Sequence, residues 1–218
     1  MWVKICGITS EEDALLAVAM GADAVGFIFA PSPRQMSPSA VAAITRRLPH
    51  EIFTVGVFRD EEPRRVVEIV NRAGLDAAQL NGNETFEECG YVSVRVPLVI
   101  KSFAAGDARL ERASEYGADI VLVDSPSPGS GKVFDWRLAE GAPHGRRLVI
   151  GGGLDPDNVA DAIRTVHPWG VDGSTGVESS VGKKDARLVR AFVQAARAAE
   201  PERYDPDDAG PYDWQDDD

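Results

Sequence analysis

The segment Arg147-Leu148-Val149-Ile150-Gly151-Gly152-Gly153-Leu154-Asp155-Pro156-Asp157-Asn158 leads through an amphipathic stretch into Gly170-Val171-Asp172-Gly173-Ser174-Thr175-Gly176-Val177. Each end of it is a short apolar run that stops at glycine. Between them, Asp155-Pro156-Asp157-Asn158 carries the Asp, Pro and Asn that open helices. The order is strand, loop, helix, strand, loop, the repeating unit of a parallel sheet covered by helices.

The same alternation extends back to the start of the chain. Strands are expected at 2–6, 23–29, 52–57, 76–80, 96–101, 119–124, 147–151 and 170–174. Several are apolar on both faces, as buried parallel strands are. Asp76–Leu80 has the weakest pattern. Thr9 and Glu12 form a capping-box pattern before Ala14–Met20, and Leu188, Val189, Phe192, Val193 and Ala196 make one helical stripe. Gly21-Ala22-Asp23, Gly74-Leu75-Asp76 and Gly117-Ala118-Asp119 each end a helix candidate and open a strand, and Gly170-Val171-Asp172 recurs at the last strand. Glycine suits the left-handed position after a helix C-terminus. Eight such units favour a single closed (β/α)8 TIM barrel, and 218 residues suffice for one.

Composition narrows the function. The apolar runs, Ala24–Ala30 among the longest, fall far short of the ~20 residues that a membrane helix needs. Glu11, Glu12 and Asp13 interrupt any leader-like run. Two cysteines, Cys6 and Cys89, are too few for a disulfide framework and have no metal-ligand spacing, so no metal is expected and the cytoplasm is the expected compartment. Residues 201–218 hold eight acids and one base, a net −7 of the chain's −12. That segment reads as an acidic, disordered C-terminal tail following a catalytic domain at 1–200. Nucleic acid is not an expected partner of so acidic a chain.

In parallel barrels the chemistry gathers at the C-terminal ends of the strands. Cys6 ends strand one, Arg34 lies in the Pro-flanked loop after strand two, Asn81 follows strand four and Asp124 ends strand six. Gly152 and Gly153 follow strand seven, and Ser174 and Thr175 end strand eight. One glycine-rich loop alone is an ordinary tight turn. Two on adjacent strands offer free backbone N–H groups for a phosphate. Lys4 shares the strand face of Cys6, where a cation favours thiolate, or it neutralises Asp172 inside the barrel. A lone cysteine is otherwise a small core residue. Arg34 is either a surface charge or a fork that clamps a carboxylate. Asp124 is either a loop cap or an acid. Gly129-Ser130-Gly131-Lys132 lacks the full Walker pattern, which argues against nucleoside triphosphates. His50, His144 and His167 lie away from strand ends and are given no role.

These segments resemble one family, phosphoribosylanthranilate isomerase of tryptophan biosynthesis. The matches run in order: Lys4-Ile5-Cys6-Gly7-Ile8-Thr9, Ser32-Pro33-Arg34, Gly56-Val57-Phe58, Gln79-Leu80 with Gly82 and Glu84, Asp124-Ser125, Gly131-Lys132 with Phe134-Asp135-Trp136, Gly152-Gly153-Leu154, and Ser174-Thr175-Gly176-Val177-Glu178 with Lys184-Asp185. The resemblance implies an Amadori rearrangement of N-(5-phosphoribosyl)anthranilate without a cofactor, by a monomer or homodimer whose partner is that small molecule. It implies that Asp124 protonates the sugar-ring oxygen, Cys6 removes the C2 proton, Arg34 holds the anthranilate carboxylate, Asn81 lies in the substrate site, and Gly152, Gly153, Ser174 and Thr175 hold phosphate. Two positions depart from the family pattern. Asn81 stands where the family usually has His, and Gly173 stands where it usually has Val; the first expects altered binding, the second a loosened packing position. The sister isomerase of histidine biosynthesis carries an aspartate where Cys6 stands. A non-catalytic phosphometabolite-binding barrel has no need of both Cys6 and Asp124.

Overall fold

Eight strands, β1 (Trp2–Cys6), β2 (Ala24–Ile28), β3 (Phe53–Phe58), β4 (Ala77–Leu80), β5 (Val99–Ala104), β6 (Ile120–Asp124), β7 (Arg147–Ile150) and β8 (Gly170–Gly173), pair in chain order, all parallel. The barrel closes where β8 returns to β1, with Lys4 opposite Asp172 and Ile5 opposite Gly173. The computed structural model describes residues 1–126, 135–139 and 147–200. The acidic segment 201–218, His144 and the Walker-like Gly129–Lys132 lie outside them.

Helices α1 (Glu11–Ala19), α2 (Pro38–Thr45), α3 (Pro63–Ala73) and α4 (Phe86–Ser93) follow the first four strands. After β5 the chain makes a kinked 3-10 segment, Ala108–Tyr116, and a shorter 3-10 turn at Trp136–Ala139 precedes β7. Helices α5 (Val159–Val166) and α6 (Ala186–Ala198) follow β7 and β8. The α6 stripe buries Val189, Phe192, Val193 and Ala196 against the barrel, as the periodicity requires. Among the described residues no helix is long and apolar enough to cross a membrane.

The Gly-x-Asp repeats have a physical purpose. Gly21, Gly74 and Gly117 all take positive φ, 90°, 64° and 63°, which reverses the chain out of each helix. The Asp that follows then accepts a backbone N–H at the start of the preceding strand: Asp23 from Val3 at 2.7 Å, Asp76 from Thr54 at 2.8 Å, Asp119 from Val99 at 2.9 Å. These carboxylates satisfy strand-end donors that would otherwise be orphaned. The fourth recurrence is different. His167, at φ 51°, caps α5 in the left-handed conformation, and Asp172 points into the barrel to Lys4.

Two other expectations are corrected. The N-cap of α1 is Ser10, whose hydroxyl accepts from the Asp13 N–H, while Thr9 donates to the Gly182 carbonyl. A complete capping box occurs instead at Thr85 and Glu88 in α4. Strand five runs about three residues later than 96–101, because Arg95 and Val96 still donate to the Val92 carbonyl at the end of α4; the strand extends past the buried Lys101. Its buried ammonium donates to the Leu80 and Gly82 carbonyls at 3.1 and 2.9 Å and to Glu84 at 2.7 Å, so all three protons are satisfied.

Inside the barrel Val55, Val57, Ala77, Ile100, Ile120, Leu122 and Val149 form the inner core beneath Cys6. At the N-terminal end Trp2 stacks on Trp169, with ring centroids 5.0 Å apart. After β8 an unanticipated antiparallel hairpin, β9 (Glu178–Ser180) and β10 (Lys183–Lys184), folds back before α6.

Candidate active site

All eight site residues expected from the sequence line one cavity at the C-terminal ends of the strands: Cys6, Arg34, Asn81, Asp124, Gly152, Gly153, Ser174 and Thr175. Gln79, Phe58, Ser125 and Asp172 complete its walls.

Cys6 is buried at the end of β1. Beside it the fully buried Lys4 donates to Asp172 at 2.8 Å. Both fit because β2 carries Gly26 there: a Cβ on it would lie 2.8 Å from the Cys6 sulfur and 3.0 Å from Lys4 Cε. Burial pushes the Cys6 thiol above its ordinary value, and Asp172 adds to that, while Lys4 opposes it. Of the two readings of Lys4, neutralising Asp172 is the one the geometry bears out, and desolvation prevails over its pull on the thiol. The other oxygen of Asp172 is buried without a hydrogen-bond partner among the described residues, as is the side-chain amide oxygen Oε1 of Gln79.

Asp124 ends β6, and its carboxylate accepts the Ser125 N–H at 2.7 Å. It sits against Gly152, where a Cβ would come within 2.8 Å of its oxygen and 2.3 Å of the Ser125 nitrogen. Gly152 and the acid therefore require each other. Burial, with Asp172 nearby, raises Asp124 from the ordinary carboxylate value to about 6. A carboxyl poised there exchanges a proton near neutral pH.

Arg34 is buried rather than a surface charge. Its Nε and Nη2 donate to the two oxygens of Glu178 at 2.7 and 2.6 Å. Its fork thus clamps a carboxylate of the chain itself through the Nε–Nη2 edge, while the residue lines the cavity. Asn81 accepts from Gln79 Nε2 at 2.9 Å, and its loop is fixed by Glu84, which takes the Gly82 and Asp60 N–H groups as well as Lys101.

Gly152 and Gly153 take positive φ, 81° and 69°. The side chain of Asn158 holds the Gly153 carbonyl at 3.0 Å. Ser174 precedes a 3-10 turn, Thr175–Val177, in which Gly176 passes so close to Leu154 that a Cβ would lie 2.2 Å from its carbonyl oxygen. The helix nearest the cradle is this short turn, since α5 begins only at Val159. Gly173 is not a loosened position: the Phe192 ring of α6 stands 2.9 Å from where its Cβ would be. Among the described residues no cluster of His, Cys, Asp and Glu is arranged to hold a metal. Sequence reasoning gave no role to Gln79, Glu178 or Lys184, although all three lie inside its matched segments.

A family model described as N-(5'-phosphoribosyl)anthranilate (PRA) isomerase matches residues 3–195. A curated N-(5'-phosphoribosyl)anthranilate isomerase of Desulforudis audaxviator is 48% identical over 204 residues, 90% of this chain and 98% of that protein. The crystal structure of the Thermus thermophilus phosphoribosyl anthranilate isomerase superposes with a TM-score of 0.85 at 38% identity, covering 91% of this chain and 99% of the other. A phosphoribosyl anthranilate isomerase in complex with reduced 1-(o-carboxyphenylamino)-1-deoxyribulose 5-phosphate superposes with a TM-score of 0.80 at 42% identity, covering 91% and 99%.

Proposed function

The chain belongs to the N-(5'-phosphoribosyl)anthranilate isomerase family and catalyses the Amadori rearrangement of that substrate in tryptophan biosynthesis, and we propose that Cys6 and Asp124 carry its proton transfers. The observation that carries this assignment is that an acid near pH 6 and a thiol face one cavity from β6 and β1.

Asp124, protonated in about a tenth of molecules at pH 7 with its pKa of about 6, gives its proton to the sugar-ring oxygen. The C1–O bond breaks, and the nitrogen lone pair closes a C=N iminium. That cation forms beside Cys6 and opposes the burial that keeps the thiol protonated. Cys6 first loses its own proton to solvent in the cavity; as thiolate it takes the C2 proton, the C–H pair becomes the C1–C2 double bond of an enolamine, and protonation at C1 with loss of the 2-OH proton gives the 2-ketone. No hydride or electron leaves the substrate, so no cofactor is required.

Arg34 reads the anthranilate carboxylate with the N–H groups not taken by Glu178, and Gly152, Gly153, Ser174 and Thr175 hold the phosphate. Asn81 contacts the substrate by hydrogen bonds, and the neutral amide carries no charge there. A substrate bearing both a phosphate and a carboxylate does not cross membranes unaided, which supports action in the cytoplasm. The test is turnover of substrate generated in place, followed by loss of its fluorescence, for the wild type and Cys6→Ala. Wild-type turnover that Cys6→Ala lowers by ~10²–10⁴ supports the assignment, and an unimpaired Cys6→Ala removes it. A ligand-bound structure with phosphate elsewhere than the glycine cradle would overturn that part.

A further inference from the structure

Glu178 lies just past β8, its side chain only 3% exposed, and its carboxylate is divided between two buried cations. Arg34 takes both oxygens. Lys184 Nζ donates to Oε1 at 3.1 Å and reaches on to the Ser174 carbonyl, also at 3.1 Å. Arg34, Lys184 and Glu178 together leave a net charge of +1. The hairpin that carries Glu178 and Lys184 is pinned to the loop after β1 and to α1: Thr9 donates to the Gly182 carbonyl, and the Lys184 N–H donates to Asp13 at 3.2 Å. Gly7, at φ 75°, makes the space, since a Cβ there would stand 2.7 Å from Arg34 Cδ and 3.1 Å from Ser174 Oγ.

One carboxylate thus touches both anion-reading ends of the site. Through Arg34 it fixes which edge of the guanidinium remains for a ligand, because the Nε–Nη2 edge is consumed. Through Lys184 it fixes the carbonyl of Ser174, and with it the direction of the backbone at the cradle. Burying such a cluster gains little stability for the fold, because desolvation offsets the attraction. What it supplies is geometry. We propose that Glu178 is a positioning residue that sets the distance between the carboxylate-reading fork and the phosphate cradle, so that the enzyme selects ligands bearing both anions at that spacing. The inference rests on the roles given above to Arg34 and the cradle.

Charge and geometry predict opposite signs, which makes the inference testable. Glu178→Gln adds one positive charge to an anion site. If Glu178 acted only through charge, substrate would bind more tightly. If it positions, the released guanidinium loses its orientation and substrate binds more weakly. Steady-state kinetics on Glu178→Gln, Glu178→Asp and Arg34→Ala separate these, with thermal unfolding to establish the folded fraction and inorganic phosphate as a competitive probe of the cradle alone. The expected result is a KM raised about tenfold or more in Glu178→Gln with kcat within about threefold, the split of a binding rather than a chemical defect. Phosphate inhibition should change less than KM, because phosphate does not span both ends. Glu178→Asp, which keeps the charge but is too short to reach both cations, should also raise KM. An unchanged or lowered KM in Glu178→Gln, or a wild-type KM in Glu178→Asp, overturns the proposal while Arg34→Ala still raises KM. An unchanged KM in Arg34→Ala overturns instead the assignment on which it rests. Should Glu178→Gln fail to fold, Glu178→Asp decides.

Discussion

Consider Asp124→Asn, which removes the proposed acid and keeps its shape, including the oxygen that accepts the Ser125 N–H. In the unfolded chain this carboxyl titrates near 3.8, and in the folded site near 6. The folded state therefore prefers the neutral form. Its stabilisation is complete below the unfolded value and is lost as pH rises to about 6, so at pH 7 the ionised Asp124 burdens the fold. About 2 pKa units correspond to an upper bound of about 3 kcal/mol. Asp124 lines the cavity and is only partly buried, so roughly half of that is expected. Asn carries no charge and escapes the burden. The variant should thus lose ~10²–10⁴ in kcat yet unfold at higher urea than the wild type at pH 7. The gap should shrink toward zero near pH 4. Urea unfolding of both proteins across this range measures it. A variant less stable at pH 7, or a difference independent of pH, would refute the claim that burial sets this carboxyl's behaviour.

Four further outcomes are expected. In pH profiles of kcat/KM, a plateau should run from an inflection near 6, set by Asp124, to one above the ordinary thiol value, set by Cys6, and Cys6→Ser should lose the upper inflection from whatever rate remains. Arg34→Ala should raise KM more than Arg34→Lys, because lysine keeps charge and loses the fork; equal, wild-type constants in both would return Arg34 to a structural role. Gly173→Val should drive a side chain into the Phe192 ring and lower unfolding free energy by about 1–3 kcal/mol in urea, with Phe192→Leu restoring part of it. Removing residues 201–218 should leave kcat and Tm near wild type, since α6 is closed by Ala199 and the N-terminal ammonium pairs with Glu200; a Tm many degrees lower would move the domain boundary into the tail.

The barrel was legible because parallel strands covered by helices are apolar on both faces, a pattern that needs no partner to be seen. It blurred at the start of β5, where Val96 reads as strand but donates back to Val92 at the end of α4. The buried Lys101, expected within the strand, is held there by its three acceptors from Leu80 to Glu84. The candidate site was legible for a related reason, since Cys6, Asp124 and the glycines are unusual residues at strand ends. Glu178 and Lys184 were not, because charged residues after a last strand read as a solvated loop. Their burial depends on Arg34, 144 residues away from Glu178. The protonation of Cys6 stayed open for the same reason: Lys4 is visible two residues away, but which partner it takes, the thiol or Asp172, is a tertiary fact.

The span of these ion pairs bears on how the chain acquires its shape during synthesis. Lys4 and Arg34 emerge from the ribosome among the first residues, whereas Asp172 and Glu178 emerge nearly last. Until then, any compact intermediate that sealed β1 would hold an uncompensated ammonium, and one that packed the loop after β2 an uncompensated guanidinium, each costing several kcal/mol or more. A truncated barrel that closes early on fewer strands is penalised by its own first strand. Nascent chains stalled before residue 172 should therefore stay open and protease-sensitive at their N-terminal end, and ring closure should come as one late event.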